Sequence, residues 1–539
     1  MSTLWGRNKP DDSQAGESPD PWRTGNAGNG DGDEDRGESS APPTERTRLL
    51  PNRPDERPPL LHPDDPAVTP YNLWTVRFVR YATVLFAAVT FVWWVLLLVS
   101  IFVTPPGMNT RGSPFFAFGY ACLALFNIFF TLAFFAVPSR AVRILSIVMA
   151  VLLFVNVIIT VSVERTRHEE GWVGMTSVIW ALIMSLWTLL ADRTVEWGKA
   201  EEEERLTGRV ETRRSVFEWT EVLVSTIAFV VLNIVIVLMT AKLVLRALDA
   251  GVTPPGRRYW VDGGKYQIHL SCHGEEKTND EGRKEPTVLL EGGEWPVENG
   301  LWQLADNAVK NGSISRYCFA DRPGYGWSDT APSPLSAGMA TDALSEALVR
   351  AGESGPWVLL SAGTGAHYSR VFSARHGEEV EGILLVDADH EDLLGRLASP
   401  WRGFGLWLRG AISPLGLEQL PGALFRGRGG RDRVWGRSAG GGSKLIFAWL
   451  QEGLVADSLT RREVESARAI QRQDTPVTVI TSGVKMRRDR RWEGKQRDLT
   501  HLTGKTLHWD VVDDAPHRVW ETYEGRKKIE KRLRQLVRG

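Results

Sequence analysis

Residues 81–103 read Tyr-Ala-Thr-Val-Leu-Phe-Ala-Ala-Val-Thr-Phe-Val-Trp-Trp-Val-Leu-Leu-Leu-Val-Ser-Ile-Phe-Val, with no Asp, Glu, Lys, Arg or His. A hydrocarbon layer of about 30 Å is crossed by roughly 20 helical residues, and in lipid the backbone must satisfy its own polar groups, so such a run predicts a transmembrane helix. Four more runs of this kind follow, at 115–137, 144–163, 172–191 and 222–245. Their one ionised side chain, Lys242, lies near the end of the last, placed to snorkel. No amphipathic helix separates the runs, which argues against buried helices of a soluble core and for a five-span α-helical transmembrane bundle.

Trp74, Trp172, Trp197 and Trp219 stand at or just beyond the ends of the runs, where indole rings favour the interface. Asn127, Asn156 and Asn233 lie inside them and are read as interhelical hydrogen bonders. No carboxylate occupies a span, so a transporter has no proton relay or ion site to work with. Arg77 and Arg80 before the first run, Arg140 and Arg143 between the second and third, and Arg193, Lys199, Arg205, Arg209, Arg213 and Arg214 between the fourth and fifth put the N-terminus and both loops in the cytosol. Five crossings then carry the C-terminal half to the other side, although Arg246, Arg257, Arg258 and Lys265 after the fifth run pull the opposite way. Asn311-Gly312-Ser313 is a glycosylation sequon on that side and serves as a test of sidedness.

Outside the spans, residues 1–70 are rich in Gly, Pro, Asp, Glu, Arg and Ser and too poor in aliphatic residues to offset ordering entropy, which predicts a disordered tail without secretory or transit-peptide character. The 539 residues carry 64 Lys+Arg and 65 Asp+Glu, so there is no global drive toward nucleic acid. The cysteines Cys122, Cys272 and Cys318 are too few for a disulfide framework or a clustered zinc site. The glycines at 440–442 lack a P-loop lysine context and read as a flexible loop. No cofactor or metal is expected.

After Pro254-Pro255-Gly256 the pattern turns to short strand candidates at 266–269, 287–291, 315–320, 358–361, 382–387 and 476–481, alternating with helix-like runs such as 339–351 and 367–376. This predicts a mainly parallel sheet covered by helices over residues 258–539, following a membrane region of 71–250, with chemistry at the carboxyl ends of the strands. Asp321-Arg322-Pro323-Gly324-Tyr325-Gly326-Trp327-Ser328-Asp329, Val386-Asp387-Ala388-Asp389-His390 and Asp513-Asp514-Ala515-Pro516-His517 resemble, in that order, the loops after the fourth, sixth and last strands of the α/β-hydrolase superfamily. Pro63-Asp64-Asp65-Pro66-Ala67-Val68 with Pro70-Tyr71-Asn72-Leu73-Trp74, Glu169-Glu170-Gly171-Trp172-Val173-Gly174 and Glu201-Glu202-Glu203-Glu204-Arg205-Leu206-Thr207-Gly208 resemble a fungal family of integral membrane proteins, often described as mitochondrial, whose biochemical role is largely undefined. The resemblance implies a mitochondrial membrane; the endoplasmic reticulum fits the same spans.

The hydrolase resemblance implies a serine at a strained strand-to-helix elbow. The corresponding segment is Leu359-Leu360-Ser361-Ala362-Gly363-Thr364-Gly365-Ala366-His367-Tyr368-Ser369-Arg370, and aligning its helix puts Gly363 where the serine belongs. A shifted register would offer Ser361 or Thr364 instead, but the elbow presents one side chain at its apex. His517 matches the general base. For the orienting acid, Asp489 follows the strand ending at Thr481, the usual place, while Asp387 and Asp389 follow the preceding strand; the spacing does not choose. Glu291-Gly292-Gly293-Glu294 occupies the oxyanion loop, where two carboxylates are ill suited to a developing anion. Residues of about 390–475 make a helical cap whose Trp401, Phe404, Leu406, Trp407, Leu408 and Ile412, with Arg402 and Arg409, either pack on the domain or touch a bilayer and admit an acyl chain. The leading expectation is a hydrolase-like membrane protein that lacks its nucleophile and binds or scaffolds, with the lipid bilayer as partner and a lipid or other hydrophobic small molecule as ligand. Its rival is an active membrane-tethered serine-type hydrolase of an ester or lipid.

Overall fold

The structure, a computed structural model, describes residues 69–538 apart from 136, 209–215 and 279–281; the expected N-terminal tail lies outside the described residues. Five helices are long and apolar enough to cross a membrane among them: α1 (Trp74–Phe102), α2 (Pro114–Ala133), α3 (Arg140–Ser162), α4 (Glu164–Thr207) and α5 (Val216–Asp249). Ser113 and Ser139 cap α2 and α3 by accepting from the N–H groups of Phe115 and Val142. Helix α4 runs well beyond its apolar stretch, so residues 193–207, read as loop, continue the helix; its charged end is held by pairs such as Lys199–Glu203 and Arg205–Glu202. It also breaks at Gly171, where φ is +58° and ψ −159°, a conformation open to glycine. Side chains such as Phe116, Tyr120, Met149, Leu153, Met184 and Ile236 pack the bundle interior, while Leu85, Val92, Ile147, Phe154 and Ile234 point outward. An apolar exterior of this kind is what lipid solvates.

Of the asparagines inside the spans, Asn127 donates to Thr188 Oγ1 at 2.9 Å across to α4, and Asn233 donates to its own helix at Phe229 O. Asn156 is fully buried, its side chain beside Tyr120 of α2. Asn127 is thus the interhelical bonder expected of such a residue, whereas Asn233 bonds within its own helix.

The C-terminal half is an eight-stranded sheet of order β1-β2-β4-β3-β5-β6-β7-β8, with β1 (Arg257–Val261), β2 (Tyr266–Gly274), β3 (Thr287–Glu291), β4 (Arg316–Ala320), β5 (Trp357–Ala362), β6 (Val380–Val386), β7 (Val477–Ser482) and β8 (Thr506–Val512). Strand β2 is antiparallel to both neighbours, and β4 through β8 run parallel. This order and polarity is the α/β-hydrolase arrangement. Strands buried on both faces read as continuous apolar runs: Val358, Leu360 and Ala362 of β5 join one core layer with helix α6 (Leu301–Lys310) and the C-terminal helix Tyr523–Arg538, whereas Trp357 and Leu359 join the other with α7 (Ala337–Ala351) and α8 (Gly365–Arg375). Cys272 and Cys318 face each other across β2 and β4 and form a single disulfide.

The membrane helices and the sheet domain belong to one compact unit. Thr104 N–H donates to Ser333 O, Thr330 N–H to Arg111 O, His168 Nε2 lies 2.9 Å from Asp329 Oδ2, and Arg433 grips Asp249 through several hydrogen bonds. At the same junction Arg246 bridges Glu169 at 2.6 Å and Glu170 at 2.7 Å. The Glu169-Glu170-Gly171 segment on which the family resemblance rests is therefore the seam between bundle and domain.

Candidate functional site

Strand β5 delivers the chain to a sharp turn and α8 carries it away. At the turn Gly363 has φ +50°. A Cβ there would stand 3.2 Å from His517 Nε2. The same turn is pressed by the loop after β3: a Cβ on Gly365 would collide with Gly292 O, and one on Gly293 would meet Ala362 O at 3.1 Å. Backbone approach this close needs glycine, which is why the segment keeps Gly292, Gly293 and Gly365. Neither alternative nucleophile reaches the imidazole. Ser361 is fully buried in β5, its Oγ without a partner among the described residues. Thr364 already has helical angles as the residue before α8 and makes no side-chain cap bond. No described hydroxyl hydrogen-bonds to His517.

The acid on His517 is Asp387. Its Oδ2 lies 2.5 Å from His517 Nδ1, and its Oδ1 accepts from Ser482 N–H at 3.0 Å and Trp492 Nε1–H at 2.9 Å. Asp387 is fully buried and has φ +43°, an uncommon conformation for a residue with a side chain and one that clusters at functional sites. Asp489, the candidate at the usual place for the acid, caps the helix Arg490–Thr500 instead, its carboxylate accepting from Arg491 N–H at 2.9 Å. The loop after β7 delivers a cation to the dyad: Lys485 Nζ is 3.3 Å from His517 Nδ1, 3.7 Å from Asp387 Oδ2 and 3.7 Å from Asp389 Oδ1. Burial pushes the Asp389 carboxyl above its usual range.

The oxyanion loop is pinned from behind. Arg322 donates to Gly292 O and Gly293 O, pairs with Glu452 at 3.2 Å and lies between the rings of Tyr325 and Tyr368. Glu291 is buried, and that burial pushes its carboxyl up to about 7 despite Arg322. Glu294 is exposed.

With this geometry in hand, the relatives are informative. A family described as a region of unknown function (DUF2417) matches residues 45–272, from the tail through the five helices into β2. An uncharacterised protein of Schizosaccharomyces pombe is 32% identical over 507 residues, covering 88% of this chain and 93% of that one. The chain belongs to this fungal family. An uncharacterised vacuolar membrane protein of Saccharomyces cerevisiae is 26% identical over 385 residues, 61% of this chain and 59% of that one. Solved structures similar to the sheet domain include an enol-lactonase from Burkholderia xenovorans, at 15% identity and a TM-score of 0.37 over 52% of this chain and all of that one. An esterase from Thermogutta terrifontis matches at 15% identity and a TM-score of 0.36, again over 52% of this chain and all of that one.

Other polar clusters in this family member are engaged internally. His269 Nε2 accepts from Gly256 N–H, so Nδ1 carries the hydrogen that goes to Asp321 at 2.9 Å, and the ring keeps no lone pair for an ion. Neighbouring Glu298 is pushed well up by burial and by Asp321. Glu391 and Asp498 beside His390 are neutralised by Arg370 and Arg468.

Proposed function

We propose that this membrane protein is a binding or scaffolding member of the α/β-hydrolase fold that has given up acyl-serine chemistry and holds a lipid or other hydrophobic ligand. The observation that carries the reading is Gly363 at the elbow, with His517 Nε2 3.2 Å from the place a side chain would begin. Without an oxygen at that point the imidazole has no nucleophile to deprotonate. A fluorophosphonate probe tests this: full-length protein in detergent should stay unlabelled, and labelling abolished by Thr364→Ala or Ser361→Ala together with His517→Ala would return it to the serine-type hydrolases.

The name of the Saccharomyces cerevisiae relative supports a vacuolar-type membrane as the site of residence, whereas none of the relatives described above supports the mitochondrial placement. Co-fractionation of a tagged chain with vacuolar markers tests it; co-fractionation with mitochondrial markers would restore the mitochondrial placement.

A further inference from the structure

The cap helix Pro400–Ile412 does not close over the dyad alone. Its inner side, with Leu406, Trp407 and Ala411, packs into one apolar cluster with Leu97 and Ile101 of α1 and Phe115 of α2, and the ring of Phe115 fills the space beside Gly410. Its other side turns Trp401, Phe404, Leu408 and Ile412 outward, Trp401 being 84% exposed. Residues spaced by three and four lie on one helix face. The helix meets the end of α1, where Phe102 and Phe404 line one cavity and Val99, Phe102 and, just past the helix, Val103 are also exposed. A bilayer that solvates the end of α1 therefore also meets this helix.

Between the two lies a cavity of about 470 Å³, walled by Leu98 and Phe102 of α1, by Phe404 and Trp407, and by Leu450 and Leu454 of the cap helix Ser443–Leu454. This volume is within the range of about 300–1,000 Å³ typical of small-molecule sites. The lining is apolar but for Ser399 and Arg402, and the Arg402 guanidinium donates to Leu397 O at 3.2 Å and has no carboxylate partner among the described residues. Arg409, on the same helix, is paired with Glu418. A free guanidinium at the rim of an apolar cleft selects a carboxylate or phosphate head with a hydrocarbon tail.

We propose that this cavity binds a single-chain anionic amphiphile, a fatty acid or lysophospholipid, entering sideways from the leaflet, with its tail between α1 and the cap and its head on Arg402. The proposal deepens the binding role above and rests on it for the nature of the ligand.

The test uses the full-length protein in phosphatidylcholine nanodiscs and a palmitate carrying a mid-chain diazirine. Cross-links should map to residues 394–407 and 445–454 and be competed by excess palmitate or lysophosphatidic acid, the tighter competitor naming the head group. A Cβ on Gly403, which lines the cavity, meets nothing within 4 Å, so Gly403→Phe fills the space without a clash and should cut cross-linking about tenfold; Leu454→Trp, on a half-exposed wall residue, should do the same. Arg402→Gln should weaken competition by both anions about tenfold while leaving that by monoacylglycerol unchanged, the value of one charge-assisted contact. Cross-linking that ignores competitor and both filling variants, or an Arg402→Gln effect equal for neutral and anionic chains, would overturn the proposal. Fluorophosphonate labelling of the same samples separates the two readings: labelled wild type sinks the non-catalytic role, whereas unlabelled protein without saturable cross-links sinks only the cavity.

Discussion

His517 points its Nε2 at the one residue of the elbow that has nothing to offer it, Gly363, while Nδ1 is held by the buried Asp387. The two side chains have the arrangement of a base and its orienting acid, and a hydrogen atom stands where a nucleophile would. Such an arrangement is open to repair.

Gly363→Ser should produce a hydroxyl within reach of His517. The Cβ is 3.2 Å from Nε2, a contact relieved by a few tenths of an ångström, and the positive φ costs about 1–3 kcal/mol in stability. Fluorophosphonate labelling should appear in this variant and vanish on adding His517→Ala. A Gly363→Ser protein that folds and stays unlabelled would show that the elbow differs from a working one in more than its side chain.

The two candidate acids should differ in what their removal does to stability. Asp387→Ala strands the N–H of Ser482 and the indole N–H of Trp492 in the interior, at roughly 3–5 kcal/mol. Asp489→Ala removes a helix cap worth about 1 kcal/mol. Thermal unfolding in detergent reads the difference, and equal losses would refute the assignment.

Stability should fall as pH rises toward neutrality, in part through Glu291. Its carboxyl titrates at about 7 when folded against about 4.3 in an unfolded chain. A folded-state value above the unfolded one means that the folded protein binds the proton more tightly, so the stabilisation is complete below about pH 4.3 and is lost as pH climbs through 7. Glu298 and Asp389 act in the same sense. Glu291→Gln should therefore flatten the melting temperature against pH between about 4.5 and 7.5, by a few kcal/mol at most; parallel curves for variant and wild type would exclude it.

Sidedness can be read from the cysteines. A disulfide between Cys272 and Cys318 persists in an oxidising compartment, and the excess of arginine at the opposite helix ends predicts that those ends face the cytosol. In a Cys122→Ala background, maleimide should label the protein only after reduction, and a C-terminal tag should resist protease in sealed vesicles. Free labelling together with a digested tag would place the sheet domain in the cytosol.

How much of the fold and site can be read from the chain follows residue chemistry. The spans are legible because an uninterrupted apolar run of about twenty residues is at home in a hydrocarbon layer and seldom elsewhere. The six inner strands show as apolar runs, but β1 and β8 do not: they are the edges of the sheet, with sequences such as Arg257-Arg258-Tyr259-Trp260-Val261 whose side chains stay partly exposed. Gly363 can be located because the residues after it resemble the helix that follows the elbow in α/β-hydrolases. The acid cannot, since Asp387 and Asp489 follow neighbouring strands and only the paths of the loops decide which one turns toward His517. Lys485 carries no signal at all, being one of several cations in residues 485–491 of which a single one faces inward.

The seam between helices and sheet also sets how the molecule can be handled. Phe115 is seated beside Gly410, Phe447 packs edge-on against Phe115, and Asp249 is clasped by Arg433. A fragment beginning near residue 257 would leave Phe447 and the flank of the cap without their cover and Arg433 without its counter-charge. It should come out of cells aggregated or bound to chaperones, whereas the whole chain extracted in mild detergent should run as a single species. The membrane half is thus less an anchor than a wall of the catalytic-type domain itself.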